Sequence, residues 1–426
     1  MSELYQRIAA AVDAIPLFDT HEHFYDEATR LNVKKEVDLF YFLHYVECDI
    51  KSAGSPDEAG EFAGGTLSSD EKRRRFLKYW PYVQDTGYGR AFRIMANDLW
   101  DVPEINEGTY DLLADRATNF ARPGFYKTVL RDRANVARSI RIVWAGQNTL
   151  CDLDYLFPAP VFDNFVGPTS RADIRKLEAQ TDTRIHSLGD LETALDAAFD
   201  RRQNEGMVAV KIFLAYRRNL DFAHTTTAAA EAVLQRVLVA LPPSPLGVDE
   251  TKPLQDYMVH QIVQRAVERK LPVKIHTGYQ NSNDNVFANG KPEPLINLVM
   301  SYPTARFVFL HCGWPYTDQV LAFAKMFPNV FPDMAWAHIL APGMAQRLLH
   351  DLLDTVPSNK ILGFGGDYNF AEGAYAHAKL ARAGISKVLA KRVEEGVFTE
   401  EQALVIAKRI MHDNAAALYG FPSLDA

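Results

Sequence analysis

Short apolar runs that end in a polar residue alternate with longer stretches of helical periodicity along most of the chain. This alternation is typical of parallel strands that each feed a returning helix. The pattern predicts eight strands, at residues 16–19, 139–143, 160–165, 208–214, 272–275, 306–310, 330–334 and 360–364. We therefore expect an α/β fold, a TIM-like (β/α)8 barrel, with residues 1–426 forming a single domain.

The stretch between the first two predicted strands is too long for one crossover connection. It contains three helical patterns, at residues 37–46, 69–83 and 109–121, which predict a large helical insertion over residues 34–138. Glycine, serine and glutamate are frequent at residues 52–69, which predicts a loop that could act as a lid.

A further helix is predicted near the end of the sequence, where Thr399 is followed by Glu400 and Glu401. A threonine cap with acidic residues in the first turn is a common helix start. The threonine hydroxyl accepts a hydrogen bond from a free backbone N–H group, and the acidic side chains interact favourably with the positive end of the helix dipole. Apolar residues at helical spacing follow, so we expect this helix to pack against the barrel wall.

Composition and charge narrow the classes of function. The 426 residues are 47% hydrophobic and 23% charged, as in ordinary globular proteins. Because 54 acidic residues outnumber 46 basic ones, giving a formal net charge of -8, nucleic acid is disfavoured as a partner. We see no targeting segment and no apolar run long enough for a membrane span, so we expect no membrane partner.

The cysteines suggest a compartment. Cys48, Cys151 and Cys312 lie far apart, and three cysteines cannot all pair within one chain. A reducing cytoplasm is the expected location. Barrels of this kind commonly form symmetric assemblies, so a homo-oligomer that acts on a small-molecule substrate is expected.

The main candidate for chemistry is the motif FDTHEH, in which an apolar run ends in His21 and His23. Strand alternation places both imidazoles on one face, and in a barrel the carboxyl ends of the strands carry the catalytic groups. The pair could therefore chelate one metal ion, although an isolated HxH is as often a pair of solvated histidines.

Three further runs end in residues that bind metals. VKIHTG, FVFLHCG and GFGGDY place His276, His311 and Asp367 directly after an apolar stretch and beside a glycine. Because all five residues occupy the same topological position, a shared metal site is favoured over separate structural roles. Imidazoles with a carboxylate suit zinc, with manganese or iron as alternatives.

Cationic and aromatic residues near these motifs could bind substrate. Lys211 lies within an apolar run, where it could be carbamylated and bridge two ions, or remain a cation beside a carboxylate. Arg217 at the end of the same run could hold a substrate carboxylate. Trp314 and Tyr316, in HCGWPY, could form pocket walls, although ordinary packing is equally consistent with the sequence.

The remaining candidates are weaker. His338 could reach the site from the rim. We interpret His44, His260 and His377 as structural or surface residues, because they lie in stretches of helical periodicity away from strand ends. Cys312 is interpreted as a packing residue, because it has no base nearby in the sequence.

Together FDTHEH, VKIHTG, FVFLHCG and GFGGDY resemble the amidohydrolase superfamily. HTG, HCGWPY and the ending AKRIMHDNAAALYGF are similar to a narrower branch, which includes domains fused to glutamine synthetase-like enzymes and has uronate isomerases as distant relatives. The motifs are specific for the superfamily, but they leave the substrate open because this fold hosts many reactions.

The resemblance implies that His21, His23, His276 and Asp367 bind the metal, with His311 beside it as ligand or catalytic acid. Two-metal members carry a carbamylated lysine on the fourth strand, but Lys211 comes early in its run, so one ion is expected.

The expected reaction is hydrolysis of an amide, ester or lactone of a small, carboxylate-bearing substrate. Asp367 would transfer the proton of a metal-activated water, and His311 would stabilise the oxyanion. Decarboxylation or sugar-acid isomerisation in the same site is the first alternative, and a metal-free binding or scaffold protein is the second.

Overall fold

Two parallel sheets carry the strands of the fold. The computed structural model describes residues 2–32, 38–54, 67–147, 154–241 and 245–424. Three strands form the first sheet in the order β1 (Leu17–Glu22), β2 (Val136–Val143) and β3 (Leu156–Pro160). Four form the second in the order β4 (Val210–Ile212), β5 (Val273–His276), β6 (Phe307–Leu310) and β7 (Val330–Pro332).

Single contacts join the two sheets into a closed barrel. Val161 forms a parallel bridge with Lys211, which links the β3 side to β4. On the other side, Asp333 bridges to Leu362 in residues 361–368, here named the closing segment. This segment returns to β1, where the backbone N–H of Asp367 donates to the carbonyl of His21 at 2.7 Å. The predicted α/β barrel is therefore confirmed.

The barrel interior is packed with side chains rather than open. Phe18, Ile140, Val308 and Leu362 belong to one buried apolar cluster, which also contains residues from the end of the chain. Tyr419 stacks on Phe18 with ring centroids 5.8 Å apart, so the end of the chain closes one mouth of the barrel. The polar candidates are consequently left at the other mouth.

Two predicted strands differ from the structure. β3 ends at Pro160. The sequence predicted a strand at 160–165, but residues Asp163–Val166 form a short helix. Residues 360–364 form only the single bridge at Leu362. Both stretches are apolar because they are buried, and burial alone does not distinguish a strand from an irregular segment.

Helices dominate the chain between β1 and β2, as predicted. Residues Ser69–Val83 match the predicted helix, and residues 55–66 of the predicted lid lie outside the described residues. The predicted helix at 37–46 is interrupted at His44, whose φ is 39°. The elements between β1 and β2 are α2 (Glu27–Asn32), a 3-10 helix (Leu39–Phe42), α3 (Tyr45–Ala53), α4 (Ser69–Val83), α5 (Gly87–Asp98), α6 (Tyr110–Asn119) and a π-helix (Lys127–Arg133).

The other helices surround the barrel and cover its wall. They are α1 (Glu3–Ala14), α7 (Asp163–Val166), α8 (Arg171–Thr181), α9 (Leu188–Asn204), α10 (Thr227–Val239), α11 (Val248–Glu268), α12 (Ile296–Ser301), α13 (Thr317–Met326), α14 (Ala337–Leu340), α15 (Pro342–Thr355), α16 (Ala371–Glu394), α17 (Glu400–Lys408) and α18 (Asn414–Tyr419), with a π-helix (Arg409–Asp413) between the last two. Thr399 caps α17 through a reciprocal pair of hydrogen bonds with Gln402, as predicted. Within the described residues, none of the helices combines the length and apolar character that crossing a bilayer requires.

The loop after β5 meets the loop after β6 at Gly278. Its φ is 79°, and its N–H donates to the carbonyl of Gly290 at 2.7 Å. A Cβ atom there would lie 2.2 Å from the carbonyl oxygen of Trp314, so only glycine fits. By contrast, Gly206 has a φ of 84° and nothing within 4 Å of such a Cβ.

We expect Gly278→Ala to reduce the free energy of unfolding by clearly more than Gly206→Ala. The positive φ alone costs an alanine about 1–2 kcal/mol, and Gly278→Ala adds a steric clash. Urea unfolding followed by circular dichroism measures both variants. Equal losses would show that the two loops are not closely packed at this point.

Candidate metal centre

His21 and His23 leave β1 at its carboxyl end, where the strand is irregular. The pairing of β1 with β2 shifts between Asp19 and Glu22. At this irregularity the backbone N–H of His21 donates to Oδ1 of Asp19 at 3.2 Å instead of to the neighbouring strand. The two imidazole rings then lie 5.0 Å apart, so the motif brings both to one place as the sequence predicts.

Asp367 completes a group of three. Its Oδ1 lies 3.1 Å from Nε2 of His23 and 3.5 Å from Nε2 of His21. One ligand atom from each of the three residues lies within 4.8 Å of the others. Asp367 has a φ of 58°, a left-handed conformation that costs free energy in a residue other than glycine and is common at functional sites.

His276 and His311 form a second pair beside this group. Nε2 of His276 lies 2.9 Å from the carbonyl of Tyr279, and Nδ1 of His311 lies 3.0 Å from that of Ala335. Both nitrogens must carry protons, because carbonyl oxygens only accept hydrogen bonds. In the neutral rings, Nδ1 of His276 and Nε2 of His311 therefore carry no proton and have a free lone pair each. These two nitrogens face each other at 3.1 Å.

These facing lone pairs and the three-residue group suit a cation. Zinc ligands lie roughly 2.0–2.2 Å from the ion, so two ligand atoms of one ion are little more than 3 Å apart. The distance between Oδ1 of Asp367 and Nε2 of His23 is of this size. Both ring nitrogens of His21 are buried and have no hydrogen-bond partner among the described residues. The donor set of nitrogen and carboxylate oxygen suits a first-row divalent ion.

The protonation states agree with this chemistry. Burial lowers the pKa of His21 and of His276 well below the usual range, and it lowers the pKa of His311 to about 4. These imidazoles are therefore neutral, which is the form that binds metals. Burial alone would raise the pKa of Asp367, but the hydrogen bond with His23 opposes it and the net shift is below the usual range, so the carboxylate is favoured.

Two buried acids of β1 hold the closing segment. Oδ1 of Asp19 accepts the N–H of Gly366 at 3.0 Å as well as that of His21, and its other oxygen accepts from Ser139. Oε2 of Glu22 accepts the N–H of Tyr368 at 2.8 Å. Asp19 and Glu22 thus fix the residues on either side of Asp367.

Burial sets the charges of these two acids. It raises the pKa of Asp19 to about 6. Burial and the nearby Asp19 charge raise the pKa of Glu22 well above its usual range. Of the two acids, Glu22 is therefore the one that more strongly favours the protonated form.

Side chains from three other elements also hold the closing segment. The Tyr45 hydroxyl donates to the carbonyl of Asp367. Nδ1 of His377 donates to the carbonyl of Gly366 at 2.8 Å, and Nε2 of His338 donates to that of Gly363 at 2.9 Å. His338 and His377 are therefore supporting residues, and His338 does not reach the site from the rim.

Lys211 lies beneath the metal group inside the barrel. Its Nζ is 4.4 Å from the centre of the Phe213 ring and has no hydrogen-bond partner among the described residues. Burial lowers the pKa of Lys211 well below its usual range, although nearby Asp367 opposes this shift. A neutral amine and a carbamylated lysine are both compatible with this position.

A cavity of about 220 Å³ opens beside the metal group. Two of its lining residues, Trp144 and Phe213, have ring centroids 4.9 Å apart. The residues that line it are His23, His44, Tyr45, Trp144, Phe213, Tyr216, His276, Asn281, Trp336, Asp367 and Asn369. Sites for drug-sized ligands are usually larger, roughly 300–1,000 Å³, so this cavity suits a small molecule.

None of the four predicted substrate-binding residues lines this cavity, and Lys211 lies against the ring of Phe213 instead. Arg217 is exposed and lines a separate cavity with Arg218 and Lys252. Trp314 packs against Tyr279, and Tyr316 packs against Phe287. Arg217 points elsewhere because the chain turns into a 3-10 helix, Leu214–Tyr216, immediately after β4.

The residues that form the walls of the cavity were not predicted from the sequence. His44 had been interpreted as structural or surface, but it lines the cavity, and its Nε2 accepts from Nδ2 of Asn369 at 2.9 Å. The positive φ that places it could not be read from an apolar helical stretch. Trp144 and Phe213 directly follow the ends of β2 and β4. This position after a strand was the one feature of the sequence that could have indicated a place in the cavity wall. Cys312 is buried, as predicted.

The sequence itself is similar to those of known proteins. A family model described as "Amidohydrolase" matches residues 176–421, which include His276, His311 and Asp367. The protein fluG of Emericella nidulans is 27% identical over 228 residues, which are 52% of this chain. The match spans only 26% of the length of fluG.

Solved structures share the fold over almost the whole chain. A uronate isomerase from Thermotoga maritima superimposes with a TM-score of 0.82 and covers 98% of both chains at 16% identity. A glucuronate isomerase from Caulobacter crescentus gives a TM-score of 0.77 at 15% identity, over 98% of this chain and 94% of its own. Identities this low establish a common architecture and leave the reaction open.

The support provided by Asp19 can be tested through metal affinity. Asp19→Ala removes the acceptor for the N–H groups of His21 and Gly366, so we expect the metal affinity to fall about 10- to 100-fold. Asp19→Asn keeps an oxygen at this position and should retain most of the affinity. Competition with a chelator, followed by metal analysis, measures both variants.

Circular dichroism of the two variants checks that they are folded. If folded Asp19→Ala and Asp19→Asn bound metal equally well, Asp19 would have no positioning role.

Proposed function

Because this chain belongs to the amidohydrolase family, we propose that it is a metal-dependent enzyme that hydrolyses an amide, ester or lactone bond of a small substrate. The convergence of His21, His23 and Asp367 within 4.8 Å carries this proposal. A divalent ion held there supplies Lewis acidity, which activates water or a substrate oxygen. Zinc is the proposed ion, because imidazole and carboxylate donors suit it.

Each residue of the group has a proposed role. His21 and His23 hold the ion through Nε2, and Oδ1 of Asp367 lies beside both nitrogens. The other oxygen of Asp367 is the proposed base, which takes a proton from the attacking water and returns it to the leaving group. Tyr45 leaves this oxygen free, because its hydroxyl contacts only the backbone carbonyl of Asp367.

His276 and His311 are proposed as further donors to the ion. In the neutral form His311 has no N–H available for an oxyanion, because Nδ1 donates to Ala335 and Nε2 faces His276. Between the two predicted roles of His311, ligand and catalytic acid, the geometry supports the ligand. The two nitrogens at 3.1 Å repel each other unless a proton or a cation lies between them.

Sugar-acid isomerisation is the second candidate. It is favoured by the shared fold with a uronate isomerase and a glucuronate isomerase. Recognition of a sugar acid normally uses a cationic side chain for the carboxylate. The described residues that line the cavity include neither arginine nor lysine, so hydrolysis remains the first candidate.

The metal can be tested directly. We expect purified protein to contain one divalent ion per chain and His23→Ala to lose most of it, because one of three clustered donors is removed. His186→Ala changes an exposed histidine and is the matched control, which should keep the ion. Elemental analysis by mass spectrometry measures all three proteins.

The other results of this experiment favour the alternatives. Two ions per chain, together with an intact mass raised by one carboxyl group on Lys211, would support the carbamylated form. Absence of a bound ion after gentle purification would favour a metal-free binding or scaffold protein.

The reaction type can be tested with oxygen-18 water. We expect a substrate found in a panel of small amides, esters and lactones to carry solvent oxygen in its acid product, because hydrolysis adds water to the carbonyl carbon. Asp367→Asn should abolish this incorporation. Mass spectrometry of the products measures it.

The same enzyme is incubated with D-glucuronate as a comparison. Formation of a keto sugar without incorporation of solvent oxygen would show that isomerisation is the reaction. Loss of carbon dioxide from an aromatic acid would show decarboxylation.

A further inference from the structure

Aromatic rings form two walls of the metal-site cavity. On one side, Phe213 lies between Trp144 and Tyr216, with both ring-centroid distances at 4.9 Å. On the other side, Tyr45 stacks on Trp336 at 5.1 Å. From the proposed function and these walls, we infer that the substrate is uncharged and presents a planar ring to the aromatic side chains beside the metal group.

The aromatic rings supply the apolar part of the cavity surface. The side chain of Trp144 lines the cavity although the residue is 37% exposed, so its ring is partly accessible to an incoming molecule. A planar ring that covers it removes apolar surface from water and gains favourable ring contacts. A sugar ring, which carries hydroxyl groups around its edge, would leave several of them without partners against such walls.

The available hydrogen-bond groups are neutral. Nε1 of Trp336 is buried and has no acceptor among the described residues, so this N–H can donate to a substrate oxygen. Asn281 and Asn369 add amide groups to the same cavity. Neutral donors of this kind recognise a carbonyl or ether oxygen and compensate a buried negative charge less than a cation does.

Cations are absent from the described lining of the cavity. Lys211 lies behind the ring of Phe213, with its Nζ 4.4 Å from the ring centre, and Arg217 belongs to another cavity. The stretches of sequence outside the described residues contain only two basic residues, Lys34 and Lys35. Within the described lining, a substrate carboxylate would therefore have no cationic side chain as a partner, and the reacting group would compete with it for the ion.

Hydroxamates can test this inference without a known substrate. All of them chelate a divalent ion, so differences in affinity among them report on the cavity walls. The probes are acetohydroxamate, benzohydroxamate, 4-carbamoylbenzohydroxamate and 4-carboxybenzohydroxamate. The last two have similar shapes and differ in charge. Isothermal titration calorimetry on metal-loaded protein measures their dissociation constants.

We expect the dissociation constant of benzohydroxamate to be at least about tenfold lower than that of acetohydroxamate, because its ring buries apolar surface. The carbamoyl compound should bind about tenfold more tightly than the carboxy compound, because a buried carboxylate without a cation is costly. Equal or tighter binding of the carboxy compound would overturn the inference.

Variants locate the effect within the cavity. Trp144→Leu should reduce the preference for benzohydroxamate over acetohydroxamate by about fivefold or more, since part of one wall is removed. Tyr82→Leu is the matched control, because Tyr82 is 76% exposed and outside the cavity lining. A preference unchanged in Trp144→Leu, or reduced equally in Tyr82→Leu, would contradict a role for this wall.

Metal analysis of the same samples separates the two proposals. If the ion is bound and the probes do not follow the expected order, the inference about the substrate is wrong and the metal centre stands. If the ion is absent and none of the probes binds, both proposals are wrong.

Discussion

Closure of the barrel is the constraint on which the candidate site depends. His21 and Asp367 are distant in the sequence, and local structure does not bring them together. The backbone hydrogen bond from Asp367 to the carbonyl of His21 both closes the barrel and places the carboxylate beside the imidazoles. The carboxyl ends of all strands of a parallel barrel meet at one mouth, so closure gathers ligands from distant parts of the chain.

The distribution of buried polar groups separates structural from functional residues. Inside the barrel Lys274 is fully buried, yet its Nζ donates to the carbonyl of Thr20 and to the Tyr419 hydroxyl and lies 3.4 Å from Asp333. Its desolvation is thus offset by partners. Among the described residues, His21 and Lys211 have buried nitrogens without hydrogen-bond partners. Buried polar groups are rarely left unsatisfied, and Nε2 of His21 lies beside Asp367, so this pair is where a bound cation would supply the missing partner.

The sequence predicted the barrel and its large insertion, because hydrophobic periodicity reports burial along each element. It also predicted the convergence of His21, His23 and Asp367, since strand ends share one mouth. The predicted strand at 360–364 failed for a physical reason. The closing segment is held by side chains of Asp19, Glu22 and His377 more than by a ladder, and such contacts between distant residues leave no periodic pattern. The cavity lining depended on the turn after β4, which places Arg217 outside, and on the positive φ of His44 in the insertion, which places it inside.

The ligands and the walls of the site have different structural origins, and this limits what relatives can tell about the substrate. The proposed ligands lie at the ends of β1 and β5 and in the closing segment, which belong to the barrel, and the solved uronate isomerase shares this fold. The walls come from the segments after the strands and from the insertion, which supplies Tyr45. Such segments vary among proteins that keep one scaffold, because their exchange does not disturb the barrel core. At 16% identity the shared fold does not establish which side chains form the walls, so the inference about the substrate rests on the aromatic side chains of this chain.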